Sequence, residues 1–253
     1  MPVKDATQRF SSRVENYVRY RPGYPTEVLE ALKRECGLRP DSVIADIASG
    51  TGIFTRMLVE NGNRVFGVEP NAEMRRAGER LLENHPRFTS IAGTAEVTTL
   101  PDHSVDIVTA AQAAHWFDRE KARREFIRIL KRGGWIVLLW NDRRMDSTEF
   151  QRQYEQLLRT YGTDYEDVRQ QGMTLALEGF FAQSFQTREF EYTQTFDYAG
   201  IEGRLLSSSY IPQEDHPKYD PMLRQLHRIF DDHQVDGRVS FDYDTRVYYA
   251  QVE

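Results

Sequence analysis

The 253-residue chain holds one cysteine, Cys36, which excludes an internal disulfide and any cysteine-rich zinc site. Its six histidines show neither H-x-H nor H-E-x-x-H spacing, so the common histidine metal motifs are missing too. Basic residues are the minority, 33 against 39 acidic, and a net charge of −6 gives no electrostatic basis for binding nucleic acid. No apolar run approaches the ~20 residues that span a bilayer. The stretch from Met1 to Phe10 lacks the apolar core of a signal peptide. These absences lead us to expect a soluble cytoplasmic protein with no membrane partner. There is no internal repeat or low-complexity tract, and nothing in the sequence reports an oligomeric state.

What is present is concentrated between Ser42 and Asn141, where short β-type runs alternate with helical patterns, the signature of a parallel sheet with crossover helices. Strands are predicted over 43–47, 64–69, 88–92, 105–110 and 135–140. Asn61-Gly62 reads as a helix stop, and Asn71 and Asp118 read as caps of the next two helices. Beyond Asn141 the pattern predicts helix within 145–183, a strand over 185–196, helices over 198–208 and 218–234, and a strand over 239–252. We expect one α/β domain, a doubly wound, Rossmann-like sheet of seven strands with helices on both faces. Its parts are a lid with the first helices (1–41), a cofactor-binding core (42–141), an inserted helical cap (142–184), and a segment completing the sheet (185–253).

The run Val43 to Ile47 ends in Ala48-Ser49-Gly50-Thr51-Gly52, and the next, Val65 to Val68, ends in Glu69. A tight Gly turn after one strand and an acid after the next present a nucleoside-containing cofactor, the acid accepting from ribose hydroxyls. A dinucleotide fold asks for G-x-G-x-x-G, but Gly50-Thr51-Gly52-Ile53-Phe54-Thr55 has Thr at the third position, and some forty residues precede the turn. Both points count against NAD(P) without removing it.

Residues 42–141 resemble the class I S-adenosylmethionine-dependent methyltransferases, particularly the small-molecule group containing trans-aconitate and malonyl-carrier-protein methyltransferases. Asp46-Ile47-Ala48-Ser49-Gly50-Thr51-Gly52 matches D-x-G-x-G-x-G, with Ala48 in place of the first Gly. Glu69 matches the ribose-binding acid, and Pro70 to Met74 the usual helix opening. Gly93-Thr94-Ala95-Glu96 resembles the G-D-A-E segment at the adenine edge, with Thr94 where the acid stands. Ala110 to Trp116 resembles the segment between cofactor and substrate, with Ala111 and Gln112 available for contact. Tyr17-Val18-Arg19-Tyr20-Arg21-Pro22-Gly23-Tyr24-Pro25 resembles a Y-x-x-x-R-P-x-Y-P opening, which extends the likeness back to about residue 10. The resemblance implies an antiparallel edge made by the last strands and S-adenosylmethionine as cofactor.

That cofactor carries a sulfonium, two ribose hydroxyls, an ammonium and a carboxylate but no phosphate, and the turn has no basic cradle. Asp46 suits the ammonium, Glu69 the hydroxyls and Arg21 the carboxylate. Ala48, Ser49, Gly50, Gly52, Pro70, Met74, Thr94, Ala95, Glu96, Ala111 and Gln112 complete the expected cofactor set. For the substrate we expect Tyr17, Tyr20, Tyr24 and Trp116, with Arg143 and Arg144 meeting an acidic group. His115, past strand four, is the candidate general base; a packing or hydrogen-bonding role is the alternative. No metal is expected. The acceptor is read as a small molecule methylated at oxygen, nitrogen or carbon, with carboxylate oxygen suggested by the arginine pair and the resemblance. The cap aromatics Tyr154, Tyr161, Tyr165, Phe180, Phe181, Tyr198 and Tyr210 are available to line its pocket or to pack the cap. A protein that senses the cofactor without turnover stays open as a second reading, and an NAD(P)-dependent oxidoreductase as a third.

Overall fold

A computed structural model describes residues 14–166, 177, 180–181 and 184–252. Its sheet has the order β3-β2-β1-β4-β5-β7-β6. The strands are β1 (Val43–Ile47), β2 (Arg64–Val68), β3 (Phe88–Ile91), β4 (Val105–Ala111), β5 (Leu130–Arg143), β6 (Gln186–Phe196) and β7 (Val239–Gln251). The first five run parallel, and β7 lies antiparallel between β5 and β6. Strand order therefore reverses direction between β1 and β4, the place where open α/β sheets bind ligands beyond their carboxyl ends.

The central strands are apolar on both faces because both are covered. Ile44, Ile107, Val137 and Leu139 point to one cluster, where α2 (Glu27–Glu35) and α3 (Ile53–Glu60) add Val28, Leu32, Phe54 and Leu58. Ala45, Val108, Ile136 and Leu138 point to the other, where α5 (Arg119–Ile129) adds Ala122, Phe126 and Ile129. Asn71 caps α4 (Ala72–Leu81) by accepting from the N–H groups of Glu73 and Met74, and Asp118 caps α5 through Lys121 N–H. Gly62, at φ +97°, turns the chain out of α3.

The antiparallel ribbon overshoots the sheet. The last β5–β7 pair is Arg143 with Tyr243, yet β6 and β7 continue together to Phe196 and Val239. On this extension sits a third apolar cluster. Here α6 (Glu149–Tyr161), α7 (Tyr198–Leu206) and α8 (Tyr219–His233) bury Tyr154, Leu158, Leu205, Leu226 and Phe230 around Phe241 and Tyr243. The first helix, α1 (Val14–Tyr20), leans on α7.

Two expectations change. The fifth strand is longer than 135–140, because pairing with β7 carries it to Arg143 and a register shift lets it start at Leu130. Within 145–183, α6 spans only 149–161; residues 167–176, 178–179 and 182–183 lie outside the described residues, as do 1–13, where the N-terminal likeness begins. The cap aromatics belong to packing. Tyr154 and Tyr165 are buried in the third cluster, with Tyr161, Tyr198 and Tyr210 against it, while Phe180 is buried in the α5-side cluster with Phe181 packed beside it.

Candidate cofactor and acceptor site

Beyond Ile47 the backbone enters the left-handed region at every second residue: Ala48 at φ +54°, Gly50 at +58° and Gly52 at +85°. The resulting spiral is held by Ser49 N–H donating to Val68 O at 3.2 Å and Gly52 N–H to Ser49 O at 2.9 Å. Gly52 opens α3 and sits against α4, where a Cβ would come within 3.1 Å of Leu82. It lines neither chamber described below, so the structure gives it a turn-forming role rather than the ligand contact expected.

The spiral borders two adjoining chambers. The outer one, about 200 Å3, is lined by Glu69, Pro70, Asn71 and Met74 from the β2 end, by Thr94, Ala95 and Glu96 from the β3 end, and by Ala113, Trp116 and Phe117 beyond β4. Glu69 is 6% exposed and accepts from Gly50 N–H at 2.9 Å and Asn71 N–H at 2.8 Å. Burial raises its pKa, and those two backbone donors work against the rise. The carboxylate is thus fixed, with lone pairs left for a diol. Thr94 accepts from the N–H groups of Glu96 and Val97, so its hydroxyl closes its own turn. The charged wall residues are Glu69 and Glu96, a setting that repels a diphosphate and suits a cationic nucleoside.

The inner chamber, about 80 Å3, shares Tyr17, Ala48, Gly50, Ala111 and Gln112 with the outer one. Its other walls include Arg21, Tyr24, Asp46, Ser49, Thr51, Asn141 and Arg204. Asp46 is 1% exposed and accepts from Thr55 Oγ1 at 2.6 Å and Thr109 Oγ1 at 2.8 Å. Burial lifts its pKa to about 6 against those two hydrogen bonds. Arg21 donates from Nη2 to Ser207 O at 3.0 Å and stacks 4.9 Å from the Tyr17 ring centre. Its Nε and the Thr51 hydroxyl are buried with no hydrogen-bond partner. Both residues border the inner chamber, and unpartnered donors suit the carboxylate end of an amino-acid cofactor. Asn141 ties leader to sheet, donating to Gly23 O at 2.8 Å and accepting from Thr245 at 2.6 Å.

Several expected substrate residues lie elsewhere. Arg143 is ion-paired to Glu155 and donates to Tyr165 OH at 2.9 Å, inside the third cluster. Arg144 pairs with Asp244 and Glu191, each at 2.6 Å. Both charges are already neutralised, and neither residue lines a chamber, so the acid-meeting role is corrected for both. Tyr20 packs on the α7 backbone, so closely that a Cβ on Gly203 would overlap its ring. Trp116 lines the outer chamber and not the inner one. The His115 ring lies 4.7 Å from that of Trp116 and borders neither chamber, and burial lowers its pKa to about 4. The half-buried imidazole therefore favours its neutral form and has no contact with either chamber.

Sequence reading missed Asn71, Thr51, Phe117, Asn141 and Arg204. The first two sit inside recognised motifs and needed only a check of neighbours. Asn141 had a positional signal at the end of β5. Arg204 had none, since α7 reaches the chamber only through tertiary packing. Among the described residues, no group of three or more His, Cys, Asp or Glu is placed to hold a metal.

Residues 45–138 match the family model of a methyltransferase domain. That part of the chain is similar to a methyltransferase domain. An uncharacterized methyltransferase of Mycobacterium tuberculosis is 39% identical over 140 residues, 55% of each chain, so the match spans about half the length of such curated relatives. An uncharacterized methyltransferase-like protein of Schizosaccharomyces pombe is 25% identical over 96% of this chain and 95% of its own. Among solved structures, a candidate type II methyltransferase of Anaeromyxobacter dehalogenans superposes with a TM-score of 0.67 at 21% identity, covering 92% of this chain and 98% of that one. The structural likeness is one of fold.

Proposed function

We propose that the chain transfers a methyl group from S-adenosylmethionine to a small molecule. The observation that carries this reading is the pair of joined chambers: an outer one built for a cationic nucleoside and an inner one reached past Gln112 and Tyr17. When bound, the cofactor supplies an activated methyl on a sulfonium. The chain's residues then need only align the acceptor and keep water out, which orientation and desolvation accomplish without an acid or base. Glu69 holds the nucleoside end, Arg21 and Thr51 the amino-acid end, and Tyr17 and Tyr24 wall off solvent. Asp46 orients the floor through Thr55 and Thr109, and Gln112, at φ +60°, borders both chambers.

Placement in the small-molecule group around trans-aconitate methyltransferases is part of the proposal, as is a cytoplasmic setting, for which the buried, unpaired Cys36 is the support. Calorimetric titration checks the cofactor: S-adenosylhomocysteine should bind and NADH should not. Turnover is checked by release of S-adenosylhomocysteine in the presence of metabolite pools. Cofactor binding with no release across broad pools would favour the sensor instead.

A further inference from the structure

The walls of the outer chamber are not all held alike. At the β2 end, Glu69 is fixed by backbone N–H groups of the neighbouring turns. At the β3 end, residues 92–100 form neither helix nor strand, yet Thr94, Ala95 and Glu96 stand at the chamber. Thr94 closes one local turn there, and the firmest holds on the rest come from α5. Glu125, on α5 and 9% exposed, borders neither chamber. Its Oε1 accepts from Thr98 N–H at 2.8 Å and from Thr98 Oγ1 at 2.6 Å. Arg128, one turn further along the helix, meets the same carboxylate with both arms, Nε to Oε2 and Nη2 to Oε1, each at 2.7 Å. It also donates from Nη2 to Leu100 O at 2.9 Å and from Nη1 to Asp102 at 2.5 Å. At the start of the helix, the N–H of the capping Asp118 donates to Glu96 Oε1 at 2.9 Å.

Residues 96–102 are therefore fastened to α5 at Glu96, Thr98, Leu100 and Asp102, and α5 is pinned to the sheet through Ala122, Phe126 and Ile129. A buried carboxylate must be matched by donors, and Glu125 has two from Thr98 and a two-pronged guanidinium. The hydrogen bonds from Arg128 hold its pKa down at about 2, so it stays charged at neutral pH. Thr98 has no exposed surface. On the other flank Gly93 leaves no room, since a Cβ there would come within 3.0 Å of Val68 and of Val97 O. Thr94, Ala95 and Glu96 are held between these two points, so slack at Thr98 passes to the chamber wall. Apolar burial anchors α5 but not the segment, and the segment is the part that gives way.

We infer that Glu125 is a positioning residue for the outer chamber: through Thr98 it sets where Thr94, Ala95 and Glu96 stand against the nucleoside of the cofactor. Satisfied buried networks of this kind rigidify what they hold, and half-satisfied ones do not. Without the charge on Glu125, the Thr98 N–H and hydroxyl lose the acceptor that fixes them, and Arg128 loses its pair. The identity of the ligand rests on the cofactor reading; the fastening does not.

The test compares E125Q, T98V and T98S with wild type by calorimetric titration with S-adenosylhomocysteine and with adenosine. Each protein is measured at a temperature where circular dichroism shows it folded. E125Q should weaken both ligands by about fivefold or more, and by the same factor, because the wall meets the part they share. T98V, which removes only the hydroxyl, should lose a few fold, while T98S should stay within about twofold of wild type. That pair carries the test if E125Q does not fold. R143A controls for stability, since it should melt early without moving either affinity. An E125Q protein that melts early yet binds both ligands like wild type overturns the inference. So does a loss confined to S-adenosylhomocysteine, or an equal loss in T98V and T98S. Hydrogen exchange of the ligand-free protein reads the fastening directly. The Val97 and Leu100 amides, which donate to Thr94 and Thr98 rather than to Glu125, should exchange about tenfold faster in E125Q, and unchanged exchange overturns the inference. If wild type binds neither ligand, the cofactor reading fails, and faster exchange at those amides still supports the fastening.

Discussion

The parallel half of the sheet and the antiparallel ribbon beside it contribute to the site by different means. At the ends of β1, β2 and β3 the chain uses backbone: the left-handed residues Ala48, Gly50 and Gly52, the N–H groups that hold Glu69, and the turn closed by Thr94. In the ribbon half it uses long side chains, with arginines buried against aromatic rings and acids. The first strategy is local, since every partner lies within one or two loops of the motif. The second is global, because Arg143 meets Glu155 across a helix, and Arg204 meets Tyr243 across the ribbon. An arginine's function in that half is decided by whether an acid reaches it first.

That rule is most open to challenge at Arg143. Its side chain is 12% exposed and that of Glu155 9%, so the pair is buried. Removing one partner of a buried pair costs about 3–5 kcal/mol. Glu155 keeps Arg159 and Tyr165, which places Arg143→Ala near the lower figure. A thermal melt should show a large drop in midpoint, while S-adenosylhomocysteine affinity of the folded fraction stays unchanged. A stable variant with impaired acceptor binding would return Arg143 to the site and erase the contrast with Arg204.

The two halves also differ from the β4 loop in how they carry titratable groups. Asp46 and His115 are both shifted by burial, Asp46 up to about 6 and His115 down to about 4. A raised carboxyl pKa means the folded state binds the proton more tightly, so stability falls as pH rises from about 4 to 6. A lowered imidazole pKa means the unfolded state binds it more tightly, so stability rises with pH over about 4 to 6.5. At about 1.4 kcal/mol per unit each contribution approaches 3 kcal/mol, and they oppose each other. In denaturant titrations of wild type these two contributions should therefore largely offset each other across this window. His115→Gln should expose the fall and Asp46→Asn the rise. The His115 variant should also keep its methyl-transfer rate within a few fold, since the ring borders neither chamber. A large rate loss would restore the general base.

Glu69→Ala probes the backbone-built half. Losing hydrogen bonds to a charged group should weaken S-adenosylhomocysteine binding by about 1.5–3 kcal/mol, a tenfold to hundredfold change in Kd. Glu69→Gln keeps an acceptor for one backbone N–H and should lose less. An unchanged affinity in the alanine variant would mean that the diol is held elsewhere.

The same contrast explains what could be read from the sequence. The strand positions of the parallel half, the caps at Asn71 and Asp118, and the Gly turn were legible because each depends on neighbours within a few residues. Arg21 was legible through its motif, although its unpartnered Nε was not. The arginine pair after β5 misled because position at a strand end says nothing of acids on β7 and α6. Arg204 was invisible for the opposite reason. Nothing near it in sequence suggests a site, and only the packing of α7 over the extended ribbon brings it to the chamber. His115 looked chemically apt at its position, and only its place outside both chambers counts against that role.

The smallest effect concerns the one departure from the glycine pattern. Ala48 holds φ +54°, where a Cβ is strained and glycine is not. An alanine at positive φ costs more than the roughly 0.4–1 kcal/mol that glycine loses through unfolded-chain entropy. Ala48→Gly should therefore raise stability by about 0.5 kcal/mol, a shift of one or two degrees in melting midpoint for a chain of this size. S-adenosylhomocysteine affinity should stay within twofold, because the spiral keeps its shape and only its strain is relieved. A lower midpoint would mean that the Ala48 methyl, at the wall shared by both chambers, contributes more through packing than its backbone conformation costs. In that case alanine at this position is part of the site's shape, and the spiral is not purely a backbone device.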